Sequence, residues 1–128
     1  MSAPYESFIE EIDEHGYQYS SVLFKLSNAV LVFFYEKGRS ARLGTLAVAM
    51  PQFGGKTCVS SILLGERNMV ITKILAERIS NAYHGIALVS THLPEIQGTE
   101  ASSMLLKLTQ KILDKADLKQ HTALSKSF

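Results

Sequence analysis

Cysteine is nearly missing from this chain: Cys58 stands alone among 128 residues. A single cysteine excludes an internal disulfide framework and fits a reducing compartment. There is no excess of either charge. The formal net charge of +1 removes any global electrostatic reason to expect nucleic acid or an anionic membrane as partner. Long apolar runs are missing too, since the longest, Ala29 to Tyr35, is far too short to cross a bilayer. The opening segment MSAPYESFIEEIDE lacks the basic start and apolar stretch of a signal peptide. Ser2 stands where myristoylation needs glycine, and the closing ALSKSF has no prenylation box. Internal repeats, low-complexity tracts and linker-like composition shifts are likewise absent. Together these absences lead to the expectation of a soluble intracellular protein.

What is present is a core. Residues 1–128 fit one domain by length, and a chain of this size buries roughly two-thirds of its unfolded surface. With 46% apolar and 20% charged residues the composition is globular. Charge is locally uneven: Glu6, Glu10, Glu11, Asp13 and Glu14 all precede the first lysine or arginine, Lys25, while Lys107, Lys111, Lys115 and Lys119 cluster late. Each cluster reads either as a solvated edge or as a partner-steering patch.

Patterning sets the elements. Phe8 to Ile12 reads as a short edge strand or a helical turn. From Tyr17 to Leu26, the residues Val22, Phe24 and Leu26 share one face and Ser21 and Lys25 the other, a period-2 strand that Leu23 interrupts. Ser27-Asn28 is a tight turn, and AVLVFFYE after it has strand composition. Around Gly38-Arg39-Ser40 lies a loop; LGTLAVAM and TCVSSILL are strands joined by PQFGGK. The period then changes: Val70, Ile71, Ile74, Leu75, Ile79 and Ala82 mark one buried helical face, with Gly85 as its terminal left-handed residue. IALVST is again a strand, Pro94 to Gly98 breaks it, and Thr99 caps a second helix. That helix buries Ala101, Met104, Leu105, Leu108 and Ile112 and turns Lys107, Lys111 and Lys115 to water; residues from about 118 to 128 read as a frayed tail. Short connections predict an α+β domain: an antiparallel sheet of about six strands with two helices, in the order β-β-β-β-β-α-β-α.

Catalytic motifs fail on inspection. The GGKT of residues 54–57 ends like a phosphate-binding loop, but Met50 stands where that loop's first glycine must be. β-branched residues follow Thr57 where a helix N-terminus should cradle phosphate, and IALVST does not end in a magnesium-binding aspartate. Cys58 has no activating signature to pair it with His15, His84, His92 or His121, and reads as a small buried hydrophobe. His84 and His92, eight residues apart, match no zinc spacing. Glu77 and Glu95 have no evident partner acid. Neither an enzyme nor a cofactor or metal is expected.

The positive signal is a surplus of apolar strand face. Ala29, Leu31, Phe33 and Tyr35 fall on one side of their strand and Val30, Val32 and Phe34 on the other, while Leu46, Val48 and Met50 oppose Ala47 and Ala49. Both faces need cover. Either the two helices lie on opposite faces, or a partner chain packs on an open one. Leu31, Phe33 and Tyr35 are the candidate partner-binding residues. Phe53 and Lys56, in the Pro51 to Lys56 loop, form a second candidate anchor, against the plainer reading of an ordinary hairpin loop.

Residues Tyr17 to about Leu93 also resemble a known family. Leu46-Ala47-Val48-Ala49-Met50 followed by Val59-Ser60-Ser61-Ile62-Leu63-Leu64-Gly65 is similar to the central block of the proteasome assembly chaperone 4 family. Leu75-Ala76-Glu77-Arg78-Ile79, ten residues beyond Gly65, resembles that family's helix, and Ala87-Leu88-Val89-Ser90 with Leu93 follows at matching spacing. The resemblance implies a six-stranded antiparallel sheet with two helices. It implies a heterodimer with a proteasome assembly chaperone 3-like partner that binds alpha subunits, notably the fifth, and promotes alpha-ring assembly of the 20S core particle. It implies no enzymatic activity, no cofactor, and residence in the cytoplasm and the nucleus. Small sheets flanked by helices also occur in longin- and roadblock-like adaptors of GTPase and trafficking complexes, the alternative reading.

Overall fold

The structure, a computed structural model, describes residues 4–52 and 58–118. It contains β1 (Glu6–Glu14), β2 (Tyr17–Lys25), β3 (Ala29–Glu36), β4 (Thr45–Pro51), β5 (Cys58–Leu64), α1 (Met69–Tyr83), β6 (Ile86–His92) and α2 (Gly98–Lys115). The six strands form one sheet in the order β1-β2-β3-β6-β4-β5. The α+β class and the element order agree with the sequence reading.

Two connections build the first meander. His15 and Gly16 both have positive φ, 55° and 81°, so the two-residue loop matches the strand twist as a mirror-image turn does. Ser27-Asn28 forms the next turn, closed by Leu26 N–H donating to the Ala29 carbonyl at 2.9 Å. The third connection behaves differently. Residues 37–44 carry the chain past one empty strand position, and β6 later fills that slot. It pairs parallel to β3, with Val32 opposite Val89, and antiparallel to β4, with Ala47 opposite Val89. The sheet is therefore mixed: four of its pairings are antiparallel, as expected, and the β3–β6 pair is parallel. The eight-residue link frees β4 from pairing with β3, and crossover through α1 brings β6 back in the parallel sense. Gly44 sits at this junction because a Cβ there would lie 2.1 Å from the Thr91 carbonyl oxygen.

Both helices lie on the same face. The core beneath them joins Val30, Val32 and Phe34 of β3, Ala47 and Ala49 of β4, and Ala87 and Val89 of β6 to Leu75 and Ile79 of α1 and Leu105, Leu108 and Ile112 of α2. Ala47, Ala49 and Ala87 give the strands under α1 a low surface there, which lets that helix approach closely. A polar seam crosses this core: the Thr72 and Thr91 hydroxyls hydrogen-bond at 2.7 Å, and Thr72 Oγ1 also donates to the Asn68 carbonyl at 2.6 Å.

Of the two readings of Phe8 to Ile12 the edge strand is realised, extended to nine residues as β1. Other local readings are corrected. In β2 the faces are exchanged: Tyr19, Ser21 and Leu23 point to the helices, and Val22 and Phe24 point away. Leu23, which interrupted the pattern, is wholly buried. On α1, Ile71, Leu75, Ile79 and Ala82 are buried as expected, but Val70 is 73% exposed and Ile74 is 45% exposed. Helix α1 ends on His84, whose φ is 62°, one residue before Gly85. Helix α2 is entered through Gln97, which makes no side-chain cap bond, and Thr99 lies inside it. The expected stripe of α2 is buried throughout. Leu118 is buried against the core and donates its N–H to the Leu113 carbonyl at 2.8 Å, so the chain is anchored to that point. The rest of the expected tail, with Lys119, lies outside the described residues.

Candidate protein-interaction surface

With both helices on one side, the other side of the sheet has no cover among the described residues. The strand registers place Ile9 of β1, Val22 and Phe24 of β2, Leu31, Phe33 and Tyr35 of β3, Leu88 of β6, Leu46, Val48 and Met50 of β4, and Val59 of β5 on this open face. Leu31, Phe33 and Tyr35 are half-buried among these neighbours, so the structure brings them into one continuous surface. Six strands at about 4.8 Å spacing make it about 24 Å across. That is of the order needed for the roughly 800 Å² that each partner gives to a standard interface. Helices on opposite faces are ruled out by this arrangement.

The surface has an aromatic row and a charged corner. Tyr5, Phe24 and Phe33 stack edge to face, with ring centroids 5.8 Å and then 6.1 Å apart. Edge-to-face pairs hold apolar rings in fixed positions without helical cover. Toward the other end of β1, Lys37 Nζ lies 3.5 Å from Asp13 and 3.9 Å from Glu11, and Ser20 Oγ donates to Glu11 at 3.2 Å. Burial, and secondarily the Glu11 charge, push the Tyr35 phenol above its ordinary range.

The acidic and basic clusters meet each other. Lys107 Nζ donates to Glu14 at 2.7 Å, and Lys111 and Lys115 approach Glu10 at 3.7 and 3.8 Å. The Lys107 hydrogen bond holds the Glu14 carboxyl below its usual value. Neither set is a free patch of one sign.

Phe53 and Lys56 lie outside the described residues, as does most of their loop. The strands on either side of it pair antiparallel, with Met50 opposite Val59 and Pro51 opposite Cys58. A strand therefore follows GGKT where a phosphate loop needs a helix. Cys58 is level with Pro51 at one end of β4, whereas Thr91, next to His92, is level with Thr45 at the other end. That separation is about 20 Å along the strand. Among the described residues no group of three or more His, Cys, Asp or Glu side chains could hold a metal, and no helix is long and apolar enough to cross a membrane.

Sequence reasoning missed Ile9, Phe24 and Leu88 as members of the surface. Period-2 patterning signals two faces in every strand; it carries no mark of which face the helices take.

No protein-family model matches the chain, and no curated protein matches it in sequence. Its fold does match a solved structure. It is similar to a chain in the crystal structure of a chaperone complex for yeast 20S proteasome assembly, with a TM-score of 0.66 and 15% identity over 92% of this chain and 99% of that one. At that identity the likeness establishes a shared architecture across nearly the whole of both chains.

Proposed function

We propose that this chain is a proteasome assembly chaperone subunit, acting as one half of a heterodimer with a proteasome assembly chaperone 3-like partner. The observation that carries this reading is the uncovered apolar face of a sheet whose whole fold is similar to a chain of a yeast 20S assembly chaperone complex. Leu31, Phe33 and Tyr35 lie at the centre of that face and supply the dimer contact. The heterodimer binds alpha subunits of the 20S core particle, notably the fifth, and promotes alpha-ring assembly. Phe53 and Lys56 are the proposed second anchor. The work is done in the cytoplasm and nucleus.

Such a chaperone needs no catalytic step and no cofactor. It acts by differential binding, favouring one arrangement of alpha subunits over others. A bias of about 3 kcal/mol toward the correct neighbour suppresses mispairing on the order of 100-fold.

Co-expression with a chaperone 3-like protein, followed by affinity purification, tests the proposal. The expected outcome is a one-to-one complex that captures alpha subunits, and a Phe33→Lys variant that loses the partner. A well-behaved monomer that binds no chaperone 3-like protein would refute it. Recovery of small GTPases or membrane tethers in place of alpha subunits would favour the adaptor reading.

A further inference from the structure

The two edges of the sheet are built in opposite ways. At the β1 edge, Glu6, Glu10, Glu11, Asp13 and Glu14 place five carboxylates on one nine-residue strand. Two lysines of α2 also reach across it: Lys111 Nζ donates to the Glu11 carbonyl at 2.7 Å and Lys115 Nζ to the Ile9 carbonyl at 2.8 Å. These are outward-facing backbone acceptors that a docking strand would need. The β1 edge is thus closed by charge and by hydrogen bonding, the usual defence of an exposed strand.

Among the described residues the β5 edge has neither protection. Cys58–Leu64 reads CVSSILL and carries no charged residue. Its backbone pairs with β4 on one side, in regular register from Cys58 to Ile62 and with Leu63 as an extra residue before Leu64. Among the described residues no side chain hydrogen-bonds to its backbone, and the Ser60 hydroxyl is turned inward to Glu77. Val59, Leu63 and Leu64 are 43%, 54% and 46% exposed. A row of free amide and carbonyl groups is satisfied by one kind of partner, an extended backbone.

We propose that β5 pairs antiparallel with β5 of a second copy of this chain, continuing the sheet across a two-fold axis. The charge pattern selects this occupant. Across a two-fold axis each side chain near the centre meets its own kind, so any charge on the strand would oppose a like charge. β1 paired with itself about Glu10 would set carboxylate against carboxylate. β5 paired with itself about Ser61 brings serine to serine, sets Ser60 against Ile62 of the second copy, and lets the exposed Val59 and Leu63 cover one another. This contact uses the edge of the sheet and leaves both open faces free. It therefore neither requires nor competes with the heterodimer proposed above.

The test separates edge from face. Because Ser61 also lies on the open face, the experiments use the full chain carrying Phe33→Lys, which disables face packing. With rising concentration, light scattering should show a mass moving from 14.1 kDa toward twice that value. Hydrogen exchange should slow at Cys58–Leu64 amides and not at Glu6–Glu14. Adding Ser61→Lys should weaken the dimer about fivefold or more. Ser61→Cys in a Cys58→Ser background should give a disulfide-linked dimer on oxidation. The wild-type chain, followed by hydrogen exchange, provides the same readout should Phe33→Lys impair folding. A chain that stays monomeric at its solubility limit overturns the proposal, as does a dimer in which β5 exchange is unchanged or Ser61→Cys fails to cross-link. Partner capture by the wild-type chain is scored separately, so failure of the heterodimer reading leaves this outcome distinct.

Discussion

Val30, Val32 and Phe34 of β3 are wholly buried, while Leu31, Phe33 and Tyr35, interleaved with them, stay half-exposed. Both sets are aliphatic and aromatic, the exposed one if anything the larger, and one strand holds both. What separates them is the placement of two helices on a single side of the sheet. On β3, burial is decided by the layer above a residue and not by the residue itself. The centre of the open face is apolar and aromatic like a core and, among the described residues, lacks the second layer, which is the physical basis for reading it as an interface.

The largest expected contrast is between neighbours on β3. Phe34→Ala should cost about 3–5 kcal/mol, because the cavity it leaves is sealed under the helices. Phe33→Ala in the isolated chain should cost far less, about 1 kcal/mol, since its ring already has solvent on one side. Urea denaturation of the two variants measures this; equal losses would mean that the open face is covered within the monomer. On β2 the same contrast should appear between Leu23→Ala, at about 2–4 kcal/mol, and Phe24→Ala, at a smaller cost. A reversed order would restore the face assignment suggested by the sequence.

The covered face also contains the Thr72–Thr91 pair. Thr72→Val removes one hydroxyl and leaves the buried Thr91 hydroxyl without that partner, so a loss of about 1–3 kcal/mol is expected. The double variant Thr72→Val/Thr91→Val should recover part of it, as a matched apolar pair has nothing left unsatisfied.

The smallest effect concerns the strand edge. Glu14 is held below its ordinary 4.5 chiefly by the Lys107 hydrogen bond. A lowered folded value means that its contribution to stability is full above 4.5 and fades as pH falls through the folded value. Lys107→Ala should return the Glu14 titration, followed by carboxyl NMR, toward its ordinary value. The change in melting temperature should be slight, because the pair is solvated. An unchanged titration would show that the lysine does not hold this carboxyl.

The elements legible in the sequence were those with one dominant period. The α2 stripe of Ala101, Met104, Leu105, Leu108 and Ile112 is buried as its spacing indicates, and its lysines lie outside. On α1 the same reasoning put Val70 and Ile74 in the core, yet both are exposed. They lie near the start of that helix, where the packed face is set by Ile71, Thr72 and Leu75, and they line a groove of about 920 Å³ with Ile96 and Leu106. In β2, apolar residues occupy both faces, so alternation could not say that Leu23 and not Val22 meets the helices. Of the candidate contact residues, Leu31, Phe33 and Tyr35 fall together on the open face, and Phe53 and Lys56 lie outside the described residues.

Local physics, then, is what the sequence determined by itself: period-2 runs make strands, period-3.6 runs make helices, and the charge clusters lie at the two ends of the chain. Those properties depend on residues a few positions apart. Three things were left to the tertiary structure. The eight-residue link let β6 enter between β3 and β4 and pair parallel to β3; both helices settled on one face; and the late lysines closed over the early carboxylates on β1. Each depends on contacts between segments remote in sequence, whose outcome rests on shape and on which surfaces remain to be buried. The open face, and the β5 edge beside it, are what those contacts left uncovered among the described residues.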